Sequence, residues 1–218
     1  MIKLCIFDLD GTLVNSLNDL ADACNFALES LGFPTHSIDK FPYFIGDGIP
    51  VLMQRIVPEN QKTPQVLEKV RSLFDERYKN HCLDKTKPYD EILELIDNCK
   101  NEDILVAVLS NKADNFAKYI CDSIFQKDTF DMILGQKEEM DKKPAPDGVF
   151  YILEKLSVSP SEAVLIGDSD VDIITAKNSG IASIGASWGF RGREELENAK
   201  ADFIADTPLG CIKIINNF

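Results

Sequence analysis

Residues 2–16 read IKLCIFDLDGTLVNS, and this stretch decides the fold. Ile2 to Leu9 is a short apolar run, interrupted by Lys3, that ends in the acids Asp8 and Asp10 and in Gly11. This pattern is typical of a buried strand followed by a loop. Ser16 and Asp19 then have the spacing of a helix capping box, and apolar residues recur at helical intervals as far as Leu31. The stretch therefore predicts one buried strand that is followed directly by a helix.

The segment after this first strand is predicted to be all helical. Apolar spacing indicates a second helix over 49–57, and a third begins at Pro64. No strand pattern occurs between about Asn15 and Cys82. A long run of helices therefore separates the first strand from the rest of the chain.

After Lys87 the pattern changes, and short apolar runs alternate with helical patterns. The expected strands span 104–109, 132–134, 163–166, 181–184 and 203–204. The expected helices span 90–100, 113–124, 147–156, 171–179 and 209–215. This alternation predicts an α/β fold with a parallel sheet covered by helices on both faces.

The first strand must join that sheet, because one isolated strand cannot bury both of its faces. The helical segment then becomes an insertion into the α/β unit. We therefore expect two domains, a core formed by 1–14 and 84–218 and a helical domain over 15–83.

The composition limits the classes of function. The chain has 36 acidic and 23 basic side chains, a net charge of -13, and this balance argues against binding of nucleic acid. No apolar stretch approaches the ~20 residues that cross a bilayer, and no secretory signal is evident. The six cysteines are scattered, which predicts reduced, buried thiols in a cytoplasmic protein with no membrane partner.

The loops that follow the expected strands carry the chemistry. Ligands of open parallel sheets bind at the carboxyl ends of the strands. Those ends offer carboxylates in Asp8–Thr12 and Gly167–Asp172, and a hydroxyl and an amide in Ser110–Lys112. A further strand-end loop contributes Lys142 and Lys143.

The spacing of the acids indicates a metal. Asp8 and Asp10 are two residues apart and point to the same side of an extended strand end, while Asp168 and Asp172 arrive from another loop. Carboxylates that meet without a cation raise each other's pKa, and a hard dication relieves this cost. A few carboxylates, waters and a substrate phosphate form the ligand set that Mg²⁺ prefers. The sequence therefore predicts a Mg²⁺ site that serves a phosphorylated substrate.

These loops resemble, in order, the four motifs of the haloacid dehalogenase superfamily of phosphohydrolases. The matching stretches are DLDGTLVNS (8–16), LSN (109–111), Lys143-Pro144 and GDSDVD (167–172). The resemblance implies a Rossmann-like sheet with a cap domain. A helical cap inserted just after the first motif marks the first cap class, and the strand-free segment lies there.

The resemblance also implies catalytic roles. Asp8 would be the nucleophile that attacks phosphorus and forms an aspartyl-phosphate. Asp10 would be the general acid to the leaving oxygen and then the general base to water. Ser110 and Lys143 would bind the oxygens of the phosphoryl group.

The implied metal ligands are Asp8, the backbone carbonyl of Asp10, and Asp168. Asp172 would either support the waters of the metal or hold Lys143 in place. The expected substrate-binding residues of the same loops are Leu9, Gly11, Thr12 and Asn111.

A loop of the helical segment points to the substrate. Residues 44–53 read FIGDGIPVLM and resemble the cap loop of phosphoglycolate phosphatases, so Gly46 and Gly48 are expected to let backbone approach the substrate. Arg55 would bind a substrate carboxylate or be a solvated surface residue. Lys112 would either join the substrate pocket or face water.

The expected function is therefore Mg²⁺-dependent hydrolysis of a small phosphate monoester, with 2-phosphoglycolate implied by the resemblance, by a monomer or weak homodimer. One alternative is a sugar phosphomutase that uses the same aspartyl-phosphate. Others are a phosphatase of broader specificity, for sugar phosphates, nucleotides or pyrophosphate, and a non-catalytic binding protein. Asp10 argues against a dehalogenase, because cleavage of a carbon–halogen bond needs no second acid.

Overall fold

The computed structural model describes residues 1–218, which form two compact units. The first unit contains 1–14 and 88–218, and the second contains 15–87. The first is an α/β unit and the second is helical.

The α/β unit is built on a six-stranded parallel sheet, as the alternation of strands and helices predicts. The strands of the chain are β1 (Leu4–Phe7), β2 (Val14–Asn15), β3 (Lys87–Pro88), β4 (Leu105–Ala113), β5 (Met132–Gln136), β6 (Ala163–Gly167), β7 (Ala182–Ala186) and β8 (Phe203–Ala205). The order in the sheet is β5-β4-β1-β6-β7-β8, and β2 pairs separately with β3. Because β4 and β6 flank β1, the loops that follow these three strands are neighbours at one edge of the sheet.

Six helices belong to the α/β unit. They are α5 (Ile92–Asn101), α6 (Asp114–Ile124), α7 (Asp147–Leu156), α8 (Asp170–Ser179), α9 (Gly192–Asn198) and α10 (Pro208–Ile215). The side chains of β1 alternate between two helical layers, as expected for a sheet covered on both faces. Leu4 and Ile6 pack in the cluster that contains Val149 of α7, whereas Cys5 contacts Cys99 of α5.

The helical unit contains α1 (Leu17–Glu29), α2 (Phe41–Phe44), α3 (Ile49–Ile56) and α4 (Pro64–His81). The two long helices, α1 and α4, pack against each other. Phe74 and Tyr78 of α4 are buried and stack with their ring centroids 5.2 Å apart. The unit contains no strand between Ser16 and Thr86, in agreement with the sequence pattern.

The predicted capping box of α1 is wrong. Ser16 is the N-cap residue, but its side chain does not cap the helix. The Asp19 carboxylate instead accepts hydrogen bonds from the backbone N–H groups of Lys85 and Thr86 and from the Thr86 hydroxyl, at 2.7–3.1 Å. These bonds join 85–86 to the helical unit, which ends at Lys87, whereas the sequence placed the domain boundary at residue 83.

The second predicted strand also ends later than expected. It was predicted to end at Leu109, but β4 continues to Ala113 with an irregular register against β5. Leu109 pairs with Leu134 and Ala113 pairs with Gln136, so β4 carries two more residues than β5 over this interval. Such a bulge redirects side chains at the strand end.

The structure also bears on two expectations drawn from the composition, which concern the cysteines and membrane-spanning segments. All six cysteines are buried, and none forms a disulfide. Among the helices, none has both the length and the apolar character that crossing a membrane would require.

Candidate active site

Three carboxylates meet at the carboxyl edge of the sheet. Asp8 follows β1, Asp168 follows β6, and Asp172 lies in the first turn of α8. One oxygen of each lies within 4.8 Å of the others, and all three residues are buried. The structure therefore brings together acids that are 164 residues apart in sequence, from 8 to 172.

Burial makes these charges costly. It raises the pKa of Asp8 to about 6, even though the Lys143 ammonium opposes the shift. It also raises the pKa of Asp168 well above its ordinary range, and the neighbouring carboxylates of Asp172 and Asp8 add to that effect. A cation at this position would remove most of the penalty.

Lys143 is the central cation of the cluster. Its Nζ donates to Asp8 Oδ1 at 2.8 Å, to Asp172 Oδ1 at 2.7 Å and to the carbonyl of Leu109 at 2.9 Å. Burial alone would lower the pKa of Lys143, but the carboxylates of Asp172 and Asp8 outweigh it and raise that pKa above its usual value. Lys143 therefore stays protonated and holds two of the three acids.

Asp172 makes hydrogen bonds through both of its carboxylate oxygens. Its second oxygen, Oδ2, accepts from the backbone N–H and the hydroxyl of Ser169 at 3.2 and 2.8 Å, which forms a capping box at the start of α8. Its first oxygen, Oδ1, accepts from Lys143, and this is the contact that one of the two expected roles of Asp172 requires.

The irregular end of β4 presents a hydroxyl and an amide to this edge. Ser110 and Asn111 are both buried. Asn111 Nδ2 donates to the backbone carbonyl of Lys143 at 3.0 Å, and Ser110 Oγ accepts from the backbone N–H of Lys112 at 3.3 Å. These bonds fix the second strand-end loop relative to the lysine.

The loop after β7 holds Asp168. The backbone N–H of Phe190 donates to Asp168 Oδ2 at 2.7 Å, and the Thr12 hydroxyl lies 3.4 Å from Oδ1. Trp188 Nε1 donates to the Thr12 carbonyl at 3.0 Å and so ties this loop to the one after β1. The sequence pattern did not reveal this contact.

Two glycines allow the close approach of these loops. A side chain at Gly11 or at Gly189 would collide with the Asp168 carboxylate group. Gly11 also has a φ of +93°, which disfavours any other residue. Leu9, the remaining predicted residue of the first loop, is fully buried.

Asp10 is paired with a second buried lysine. Its Oδ2 lies 2.9 Å from Lys112 Nζ, and the two side chains are 12% and 3% exposed. Lys112 therefore does not face water, which was one of the two expectations for it. The hydrophobic periodicity of the sequence could not decide between these two expectations, because the bulge of β4 redirects residues 110–112.

The charges of the site fit a divalent cation. Four carboxylates, those of Asp8, Asp10, Asp168 and Asp172, are matched by the two lysines Lys112 and Lys143. With all four carboxylates ionised, the difference, four minus two, leaves two negative charges in a buried cluster of oxygen donors. Oxygen-rich, acidic sites of this type suit Mg²⁺ or a similar hard cation.

The predicted substrate loop lies in the helical unit. Gly46 and Gly48 both have positive φ, +117° and +81°, and precede α3. Arg55 donates to the carbonyl of Phe44 at 3.0 Å and pairs with Asp47 at 2.5 Å, so its side chain braces this loop. The substrate role of Gly46 and Gly48 stays a prediction.

Comparisons with known proteins agree with the motifs. Residues 5–186 match the haloacid dehalogenase-like hydrolase family. The chain is 31% identical to a phosphoglycolate phosphatase of Aquifex aeolicus, over 99% of this chain and 98% of the relative. It is 32% identical to a phosphoglycolate phosphatase of Vibrio parahaemolyticus, over 98% of this chain and 96% of the relative.

A solved structure shows the same fold. A protein from Haemophilus somnus, named a predicted phosphoglycolate phosphatase, matches with a TM-score of 0.92 and 30% identity. The match covers 98% of this chain and 97% of the other. Both units of the present chain therefore have counterparts in that structure.

Proposed function

This chain belongs to the haloacid dehalogenase-like hydrolases, and on that premise we propose that it is a Mg²⁺-dependent phosphatase that hydrolyses 2-phosphoglycolate through an aspartyl-phosphate. The observation that carries the proposal is the cluster of Asp8, Asp168 and Asp172, in which Asp8 and Asp172 bind the buried Lys143. The relatives named phosphoglycolate phosphatase support the choice of substrate.

The first half-reaction uses Asp8 and Asp10. A carboxylate oxygen of Asp8 forms a bond to phosphorus, while the bond between phosphorus and the ester oxygen breaks. Asp10 donates a proton to the departing oxygen, so that the alcohol leaves as a neutral hydroxyl. Lys143 and the Ser110 hydroxyl stabilise the charge on the phosphoryl oxygens.

The second half-reaction regenerates the enzyme. Asp10, now a carboxylate, takes a proton from water as the water oxygen attacks phosphorus. The bond between phosphorus and Asp8 breaks, and inorganic phosphate leaves. Backbone N–H groups of Leu9 and Asn111 are proposed to bind the phosphoryl oxygens in both steps.

The residues present fit a Mg²⁺ ion. The Asp8 side chain, the Asp10 carbonyl and Asp168 would hold it, and Asp172 would fix Lys143 beside it. When bound, Mg²⁺ would neutralise charge on the transferring phosphoryl group. The raised pKa values of Asp8 and Asp168 support this assignment, because burial and the neighbouring carboxylates outweigh the cations already present in the site.

A substrate panel tests the proposal. Purified protein with Mg²⁺ is assayed for phosphate release from 2-phosphoglycolate, hexose phosphates, nucleotides and pyrophosphate. We expect kcat/KM for 2-phosphoglycolate to exceed that of the other compounds by about tenfold or more.

Three outcomes would contradict parts of the proposal. No release from any ester would reject a phosphatase, and faster release from another ester would reject 2-phosphoglycolate as the preferred substrate. Conversion of one hexose phosphate into its isomer, without release to water, would indicate the phosphomutase instead.

A further inference from the structure

The pairing of Asp10 with Lys112 has no part in the half-reactions above. Lys112 lies at the irregular end of β4, and its ammonium is 2.9 Å from Asp10 Oδ2. The lysine side chain is 3% exposed, so its charge is almost entirely removed from water. A buried ammonium is retained only where a carboxylate and good geometry offset the lost hydration.

The two buried lysines bind different acids. Lys143 is committed to Asp8, Asp172 and a backbone carbonyl, which are three acceptors for its three N–H groups. The ion pair of Asp10 is made with Lys112. The proposed nucleophile and the proposed general acid are therefore oriented by separate cations on separate loops.

We propose that Lys112 is a positioning residue that fixes the Asp10 carboxyl group for proton transfer to the leaving oxygen and from the attacking water. This inference rests on the proposed function, because it assigns Asp10 the role of general acid and base. An unrestrained Asp10 side chain would sample several rotamers, and misplacement by about 1 Å is enough to impair a catalytic group. The salt bridge holds Asp10 Oδ2 against the Lys112 ammonium and so restricts the rotation of the carboxyl group.

The backbone around Lys112 supports a fixed position. The Lys112 N–H donates to Ser110 Oγ, and the Asp114 carboxylate at the start of α6 accepts from the backbone N–H of Gly135 on β5 at 3.1 Å. The bulged segment is thus held at both ends, which restricts where the lysine can reach.

The test separates proton donation from binding by changing the leaving group. Alkyl phosphates need a proton on the departing oxygen, whereas 2,4-dinitrophenolate leaves without one. For Lys112→Met we expect kcat/KM to fall by about 10- to 100-fold for 2-phosphoglycolate and for ethyl phosphate, whose leaving alcohol carries no charge. For 2,4-dinitrophenyl phosphate the loss should be under about threefold.

Two further variants control for structure. Lys112→Arg keeps the charge and should recover part of the loss on alkyl esters. Lys118→Met removes an exposed lysine from a comparable ion pair with Asp114, 2.7 Å long, and should leave all three rates unchanged. Thermal unfolding of each variant checks that the protein is folded.

A double variant tests the route through Asp10. In an Asp10→Asn background the acid is already lost, so Lys112→Met should cause little further loss on alkyl esters. This comparison remains informative if Lys112→Met is less stable. The loss caused by Lys112→Met is measured once relative to the wild type and once relative to Asp10→Asn.

The inference is overturned by any of three results. One is an equal loss on alkyl and dinitrophenyl esters, and another is full additivity with Asp10→Asn. The third is a rise in KM confined to 2-phosphoglycolate, which would make Lys112 a ligand of the substrate carboxylate. If the wild-type protein hydrolyses no ester at all, the proposed function fails first, and that result is distinct from these.

Discussion

At the residue scale, Gly189 shows how closely the site is packed. An added Cβ there would overlap both Asp168 and the carbonyl of Gly11, and no flexible side-chain end is available to move aside. The position has no unusual φ, so the requirement for glycine is purely steric. The Asp168 carboxylate, which we propose as a metal ligand, therefore cannot shift without a change in the geometry of the site.

We expect Gly189→Ala to displace Asp168 and to lower both Mg²⁺ affinity and turnover by about 10- to 100-fold. Mg²⁺ affinity is measured by calorimetry, and turnover is measured on 2-phosphoglycolate. Gly210→Ala is the matched control, because a Cβ at Gly210 has only ordinary contacts, the nearest at 3.5 Å. Equal Mg²⁺ affinity of the two variants would contradict the steric argument.

The sequence was sufficient to name the acids of the site and a partner of Lys143, but not the partner of Lys112. Asp8, Asp168 and Lys143 lie in loops that follow strands, and the carboxyl ends of parallel strands lie at the same edge of the sheet, which made their proximity an expectation from the sequence. The partner of Lys112 depends on the path of a bulged strand end. That path is set by pairing with β5, which local periodicity does not encode.

At the scale of elements, Asp19 fastens the start of α1 to the end of the helical unit. Its carboxylate accepts four hydrogen bonds from Lys85 and Thr86, and the residue is 3% exposed. The spacing of Ser16 and Asp19 matches a capping box, but the Asp19 carboxylate instead binds a segment 66 residues away in sequence. Local spacing could not reveal that long-range competition.

We expect Asp19→Ala to lower the free energy of unfolding by about 2 to 4 kcal/mol, because the buried N–H and hydroxyl of Thr86 and the partly buried N–H of Lys85 lose their acceptor. Denaturant unfolding followed by circular dichroism measures the change. Asp22→Ala is the control, since its ion pair with Lys85 is about half exposed and should contribute about 0 to 1 kcal/mol. Equal destabilisation by the two variants would show that the Asp19 bonds are not the cause.

The other elements were predicted closely where the apolar pattern alone determines them. The strand at 163–166 was found as β6, one residue longer, and α7 has the predicted bounds. Both elements are buried by simple packing on the sheet. Errors concentrate at β4 and at the start of α1, where side chains at the element end make long-range polar contacts.

At the scale of the whole molecule, the buried carboxylates of the site lower the stability of the folded protein, and a bound cation should reverse this effect. The pKa of Asp8 is raised to about 6 and that of Asp168 is also raised, so the folded state holds their protons more tightly than the unfolded state. Their contribution to stability is complete at low pH and is lost as pH rises through the folded pKa. This trade of stability for function is common at active sites.

We expect the metal-free protein to lose up to about 3 kcal/mol of unfolding free energy from the Asp8 shift as the pH rises from about 3 to about 7, with most of the loss between the ordinary pKa of the carboxyl group and its folded value of about 6. Excess Mg²⁺ should restore much of it, because it binds the ionised carboxylates of the folded state. Urea unfolding at several pH values, with EDTA or with Mg²⁺, measures both effects.

The Asp168→Asn variant provides the control for that experiment. It keeps the shape of the side chain but removes one buried charge, so without metal it should be more stable than the wild type near pH 7. Its stability should also respond little to Mg²⁺. A variant that is less stable, or that responds to Mg²⁺ like the wild type, would contradict the electrostatic account.

The central claim is that Asp8 carries the phosphoryl group between substrate and water. The most direct test is to quench the enzyme during turnover of 2-phosphoglycolate and treat it with borohydride, which reduces an aspartyl-phosphate to homoserine. Tandem mass spectrometry of the tryptic peptide 4–40 then locates the reduced residue. We predict homoserine at position 8, dependent on substrate and Mg²⁺ and absent from Asp8→Asn. Reduction at another residue, or none at all while substrate turns over, would contradict the account.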